Sequence, residues 1–81
     1  MIPEEVARAG QKVYDTSLKQ LFEPESNGQF VAIEPTTGGY SIGSTIIEAI
    51  EKAELNSPNA NFHVVRIGFP AAVSFHHRVI V

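Results

Sequence analysis

Residues 29–56, "QFVAIEPTTGGYSIGSTIIEAIEKAELN", decide the fold. Phe30-Val31-Ala32-Ile33 is rich in aromatic and β-branched residues and predicts a strand. Successive side chains of a strand point to opposite faces, so Phe30 and Ala32 share one side and Val31 and Ile33 the other. Neither side is polar. Thr36-Thr37-Gly38-Gly39 reverses the chain, with one of the two glycines expected to supply the positive φ of a hairpin turn. "YSIG" is the returning strand. Thr45 and Glu48 then form a T-x-x-E capping box, and Ile46, Ala49, Ile50 and Ala53 make the apolar stripe of a helix over 45–55.

On the N-terminal side, "IPEEVARAGQKVYDTSLKQLF" predicts a second amphipathic helix. Its stripe is Ile2, Val6, Ala9, Val13, Ser17, Leu18 and Leu21, at spacings of three and four. Pro3 suits the first turn, where its missing N–H is not needed, and Glu4 and Glu5 sit well at the positive end of the helix dipole. Gly10 costs about 1 kcal/mol against alanine inside a helix, which points to close approach by another backbone. Pro24 ends the helix. On the C-terminal side, "FHVVRIGF" and "AAVSFHHRVIV" are two more strands, with a turn around Phe69 and Pro70.

The order is helix, strand, strand, helix, strand, strand, with no repeat or linker, so residues 1–81 form one domain. Short connections favour pairing between neighbours. The expected fold is α+β: a two-layer sandwich with a four-stranded, mostly antiparallel sheet in the order 2-1-3-4 and helix 45–55 across one face. The other face needs cover from the first helix or from a second subunit.

Composition narrows the function. Six basic against nine acidic residues give a net charge of −3, without any Lys/Arg cluster. Binding to nucleic acid or to anionic lipid draws on phosphate neutralisation, so neither partner is expected. With no cysteine in the chain, disulfides, cysteine-based zinc and iron–sulfur sites and thiol nucleophiles are excluded. The charged N-terminus lacks a signal-peptide core, and a cytoplasmic protein without membrane association is expected.

The stretches "GQFVAIEPTTGGYSIGSTIIEAIEKA" and "FHVVRIGFPAAVSF" resemble a group of small, uncharacterised bacterial proteins. Their pattern is F-V-A-I-x-P-x-x-G-x-Y-x-x-G-x-T, a helix, then V-R-I-G-x-P-A. The matching positions are Phe30 to Ile33, Pro35, Gly38 or Gly39, Tyr40, Gly43 and Thr45, then Val65 to Gly68, Pro70 and Ala71. The preceding helix fits as well; the tail "HHRVIV" lies beyond the match. The resemblance implies the fold and no chemistry.

Three motifs invite a chemical role. "GGYSIGST" is one residue from a phosphate-binding loop, but Ser44 stands where the phosphate-reaching lysine belongs and Tyr40-Ser41-Ile42 alternates like a strand. Helix capping is the expected role, with room at most for a stray anion at Ser44 and Thr45. His76 and His77 are adjacent on a strand, point to opposite faces and cannot share a metal ion within one sheet. With the turn at Phe69 and Pro70, His63 faces His76 as a solvated pair, and Glu34 is the sole carboxylate in reach to complete a metal site. No metal or cofactor is therefore expected. No serine lies on a G-x-S-x-G elbow, and Asp15 sits on the exposed side of the first helix. No catalytic residue is assigned.

Apolar surface is the remaining signal. It predicts a non-enzymatic interaction or accessory protein, acting as a homodimer or with an unidentified protein partner. The last strand supplies the interface through Phe75, His77, Val79, Ile80 and Val81. The alternative is a small metal- or anion-binding domain or enzyme using Glu34, His63, Arg66 and His76.

Overall fold

Five buried positions of the N-terminal run stand four residues apart: Val6, Gly10, Tyr14, Leu18 and Phe22. An α-helix turns about 100° per residue, so each four-residue step overshoots by roughly 40° and the stripe drifts around the axis. The computed structural model, which describes residues 3–70 and 72–75, has a correction for this drift. Helix α1 (Pro3–Val13) passes into a π-helical turn, Tyr14–Leu18, before the short helix α2 (Lys19–Phe22). The i→i+5 bonding of the π turn winds more slowly, which keeps Leu18 and Phe22 in line with Val6. The buried face therefore differs from the predicted one: Ser17 and Leu21 are exposed, and Ala9 and Val13 are half-buried. Glu23, held extended (φ −88°, ψ 142°) before Pro24, stops the helix.

Strands β1 (Phe30–Ile33), β2 (Tyr40–Gly43), β3 (Phe62–Arg66) and β4 (Ala72–Phe75) form one sheet in the order β2-β1-β3-β4. Every neighbouring pair is antiparallel. This is the α+β class and strand order expected from the sequence. β1 and β3 are central and apolar on both faces. Helix α3 (Ile46–Asn56) closes one face, packing Ala49 and Ala53 on Ala32, Phe62 and Val64. The N-terminal run closes the other, with Tyr14, Leu18 and Phe22 on Val31, Ile33, Val65 and Ile67. The chain thus supplies its own second cover, and the sheet carries a helical layer on each side. The ring of Phe22 also meets Tyr40 of β2 edge-on, with centroids 5.5 Å apart.

Local signals behave as the sequence predicts. Gly38 takes φ +79° in the β1–β2 turn. Thr45 accepts from the Glu48 amide at 3.0 Å, and the Glu48 carboxylate reaches back to the Ser44 amide at 3.2 Å. Two of the amides at this helix start, those of Ser44 and Glu48, are thereby engaged by the protein. Gly43 sits so close to α3 that a Cβ there would lie 2.5 Å from the Ala49 nitrogen, so this stretch is a packed strand end and not a phosphate loop.

Gly10 does mark a close approach, by a side chain rather than a backbone. A Cβ at Gly10 would lie 2.3 Å from Cβ of His63 on β3. Gly10→Ala should therefore reverse the usual sign of a helical glycine replacement. The propensity gain of about 1 kcal/mol should be outweighed by overpacking, for a net loss of about 1–2 kcal/mol in urea unfolding. Gly10→Ala combined with His63→Gly, which removes the opposing Cβ, should be less damaging than the sum of the two single changes, the coupling expected of residues in contact.

Candidate functional site

Of the residues weighed for ligand contact, the three that are described, Glu34, His63 and Arg66, are not gathered in one place. Ile33 pairs with His63 across the β1–β3 ladder, so Glu34, the next residue, points to the α3 side while His63 points to the α1 side. Arg66 lies opposite Phe30, on the same face as Glu34 but about 13 Å along the strand from it. His63 sits opposite Ser74, so the predicted pairing of His63 with His76 is not made. His76, His77, Val79, Ile80 and Val81 lie outside the described residues. Phe75, the last described residue of β4, pairs with Phe62 in the backbone ladder.

Each described candidate has a structural partner. Glu34 ties down its own hairpin: its carboxylate accepts from the Thr36 amide at 3.1 Å, the Thr37 amide at 2.7 Å and the Thr37 hydroxyl at 2.8 Å. Desolvation pushes this carboxyl up, but the hydrogen bonds from Thr37 and Thr36 outweigh it and hold the group below its ordinary value. Arg66 stacks its guanidinium 4.2 Å from the Phe69 ring centroid and 5.9 Å from that of Phe30. His63 is buried instead of solvated. Its Nε2 lies 3.0 Å from Oε1 of Gln11, whose amide nitrogen in turn donates to Asp15 at 3.1 Å. Because that amide nitrogen is committed to a carboxylate, the Gln11 oxygen faces the imidazole and Nε2 carries the proton.

The polar arrangement that the sequence did not announce lies beside this chain of contacts. Tyr14 is buried, and its hydroxyl donates to Oε2 of Glu23 at 2.5 Å and accepts from the Gly68 amide at 3.4 Å. Burial, and then the Glu23 carboxylate, push the phenol up to about 12. Tyr14 forms the floor of a cleft of about 400 Å³ between the π turn and the β3–β4 connection. The helical side contributes Gln11, Asp15, Lys19 and Glu23, and the sheet side contributes Val65, Phe69, Pro70 and Ala72. A π turn, a perturbed buried tyrosine and a cleft at one place are the features by which functional sites are often found. The strict four-residue spacing of Val6, Gly10, Tyr14, Leu18 and Phe22 was the available signal, since it points Tyr14 inward. Among the described residues no three His, Asp or Glu side chains gather as metal ligands, and no helix is long and apolar enough to cross a membrane.

No protein-family model, curated protein or solved structure matches this chain.

Two titrations check this geometry. His63 is held below its ordinary value of 6.5 by desolvation, against an opposing pull from Asp15. The fold holds it neutral and the unfolded chain lets it charge, so its contribution to stability is complete above 6.5 and is lost as pH falls further. Its imidazole resonance should titrate below 6.5; a midpoint at or above that value would contradict the buried placement. Tyr14 should ionise near 12 in tyrosinate absorbance, and Glu23→Ala should move that midpoint down toward 10.0.

Proposed function

We propose that this chain is a small interaction protein that works as a homodimer, joined through β4. The observation that carries this reading is uneven cover at one edge of the sheet. Helix α3 packs chiefly over β2 and β1. Val73 of β4, opposite Val64 on the α3 side, is consequently left 48% exposed. Val73, Val64, Phe30 and Ile46 line a shallow, largely apolar groove along that margin with Arg66 at its side, and the exposed Phe69 lies at the adjoining turn.

β4 is also the edge of the sheet, and its outer side pairs with no strand among the described residues. An open edge is a template for another strand. A two-fold axis beside β4 would pair it antiparallel with its own copy, continuing the sheet and covering Val73 on both protomers. The acidic balance of the chain and the absence of a basic cluster favour a protein partner over nucleic acid or anionic lipid. The alternative of a metal- or anion-binding site built on Glu34, His63, Arg66 and His76 has less support, since Glu34 and His63 lie on opposite faces of the sheet.

Sedimentation equilibrium tests the proposal. The wild type should sediment as a dimer at micromolar concentration, and Val73→Asp should shift it to monomer while the domain stays folded. Ile47→Asp, on the exposed outer side of α3, should leave the dimer intact. A wild type that remains monomeric at high micromolar concentration would refute the homodimer.

A further inference from the structure

The cleft above Tyr14 is unequal in its chemistry. Its helical wall carries two carboxylates, Asp15 and Glu23, against one ammonium, Lys19. Tyr14 spends its proton on Oε2 of Glu23, so it offers a ligand only lone pairs. One N–H of the Gln11 amide is likewise given to Oδ1 of Asp15. The second oxygens of both carboxylates, Oε1 of Glu23 and Oδ2 of Asp15, accept no hydrogen bond among the described residues. Carboxylates therefore outnumber cations on this wall, two to one. The opposite wall is apolar, made by Val65, Phe69, Pro70 and Ala72.

A cleft of about 400 Å³ is at the small end of ligand pockets, which run from roughly 300 to 1,000 Å³. An ammonium group brings three donors and no acceptor, the complement of such a wall. We infer that the cleft binds a small primary amine on an apolar body, its ammonium between Asp15 and Glu23 and its hydrocarbon against Val65, Phe69 and Pro70. This site is on the α1 side of the sheet, the face opposite Val73, although Ala72 borders both the cleft and the Val73 groove; its ligand contacts do not depend on self-association.

Phenethylamine is the probe, with phenethyl alcohol and phenylacetate as its neutral and anionic counterparts. Binding to the full chain is followed by amide chemical shifts in ¹⁵N-labelled protein and quantified by titration. Phenethylamine should perturb the amides of Tyr14, Asp15 and Gly68 and bind at least about tenfold more tightly than the alcohol, a difference of about 1.4 kcal/mol. Phenylacetate should not bind. Glu23→Gln and Asp15→Asn should each weaken the amine several-fold, and Lys19→Ala should tighten it by removing the competing cation. Asp15 is exposed, so Asp15→Asn remains informative even where Glu23→Gln disturbs the fold. Equal binding of amine and alcohol, shifts confined to other surfaces, or an affinity unmoved by Asp15→Asn would each overturn the assignment.

Discussion

The fold depends on how closely the first helix lies against β3 at Gly10 and His63. β1 and β3 are apolar on both faces, so the sheet needs two covers, and the described residues hold two helical runs that provide them. α3 is placed by its short connection to β2 and can reach one face alone. The second face falls to α1 and its continuation, and that helix seats fully only because residue 10 has no side chain to hold it off His63. The burial of His63, the floor that Tyr14 makes for the cleft and the Gln11–Asp15 relay all follow from that seating.

How much of this was legible in the sequence follows the range of the signal. The hairpin and the start of α3 were plain, because Gly38 and the Thr45–Glu48 pair act within a few residues of themselves. The strand order followed from short connections. The face of the first helix was not legible from alternating three- and four-residue steps, because the π turn changes the phase midway and turns Ser17 and Leu21 outward. The β3–β4 register was missed by a small error with a large effect. The connection is closed by a bond from the Phe69 amide to the Arg66 carbonyl, and a ladder centred one residue earlier moves the partner of His63 from His76 to Ser74.

The candidate site was the least legible part. Its lining runs from Gln11 to Ala72, and Tyr14 meets Glu23 only because the π turn aims one residue inward while the residue before Pro24 is extended. Glu34 shows the reverse case: a lone carboxylate on a strand looked available for a ligand, yet its oxygens are filled by the turn that follows it. Counting what each acceptor already holds separates the two situations, and that count needs coordinates.

The π turn and the Gly10 seat also bear on the order in which the molecule assembles. The β1–β2 hairpin joins adjacent residues through a turn that Glu34 ties locally, so its loop-closure cost is small. Gln11 and His63, by contrast, are 52 residues apart, and α1 has no surface to dock on until β3 has joined the sheet. Helix α1 is thus synthesised before β3 and finds its place only after it. In the interval its apolar stripe and the bare α1-side face of the sheet are open together, which makes this the stage at which the young chain is most prone to aggregate.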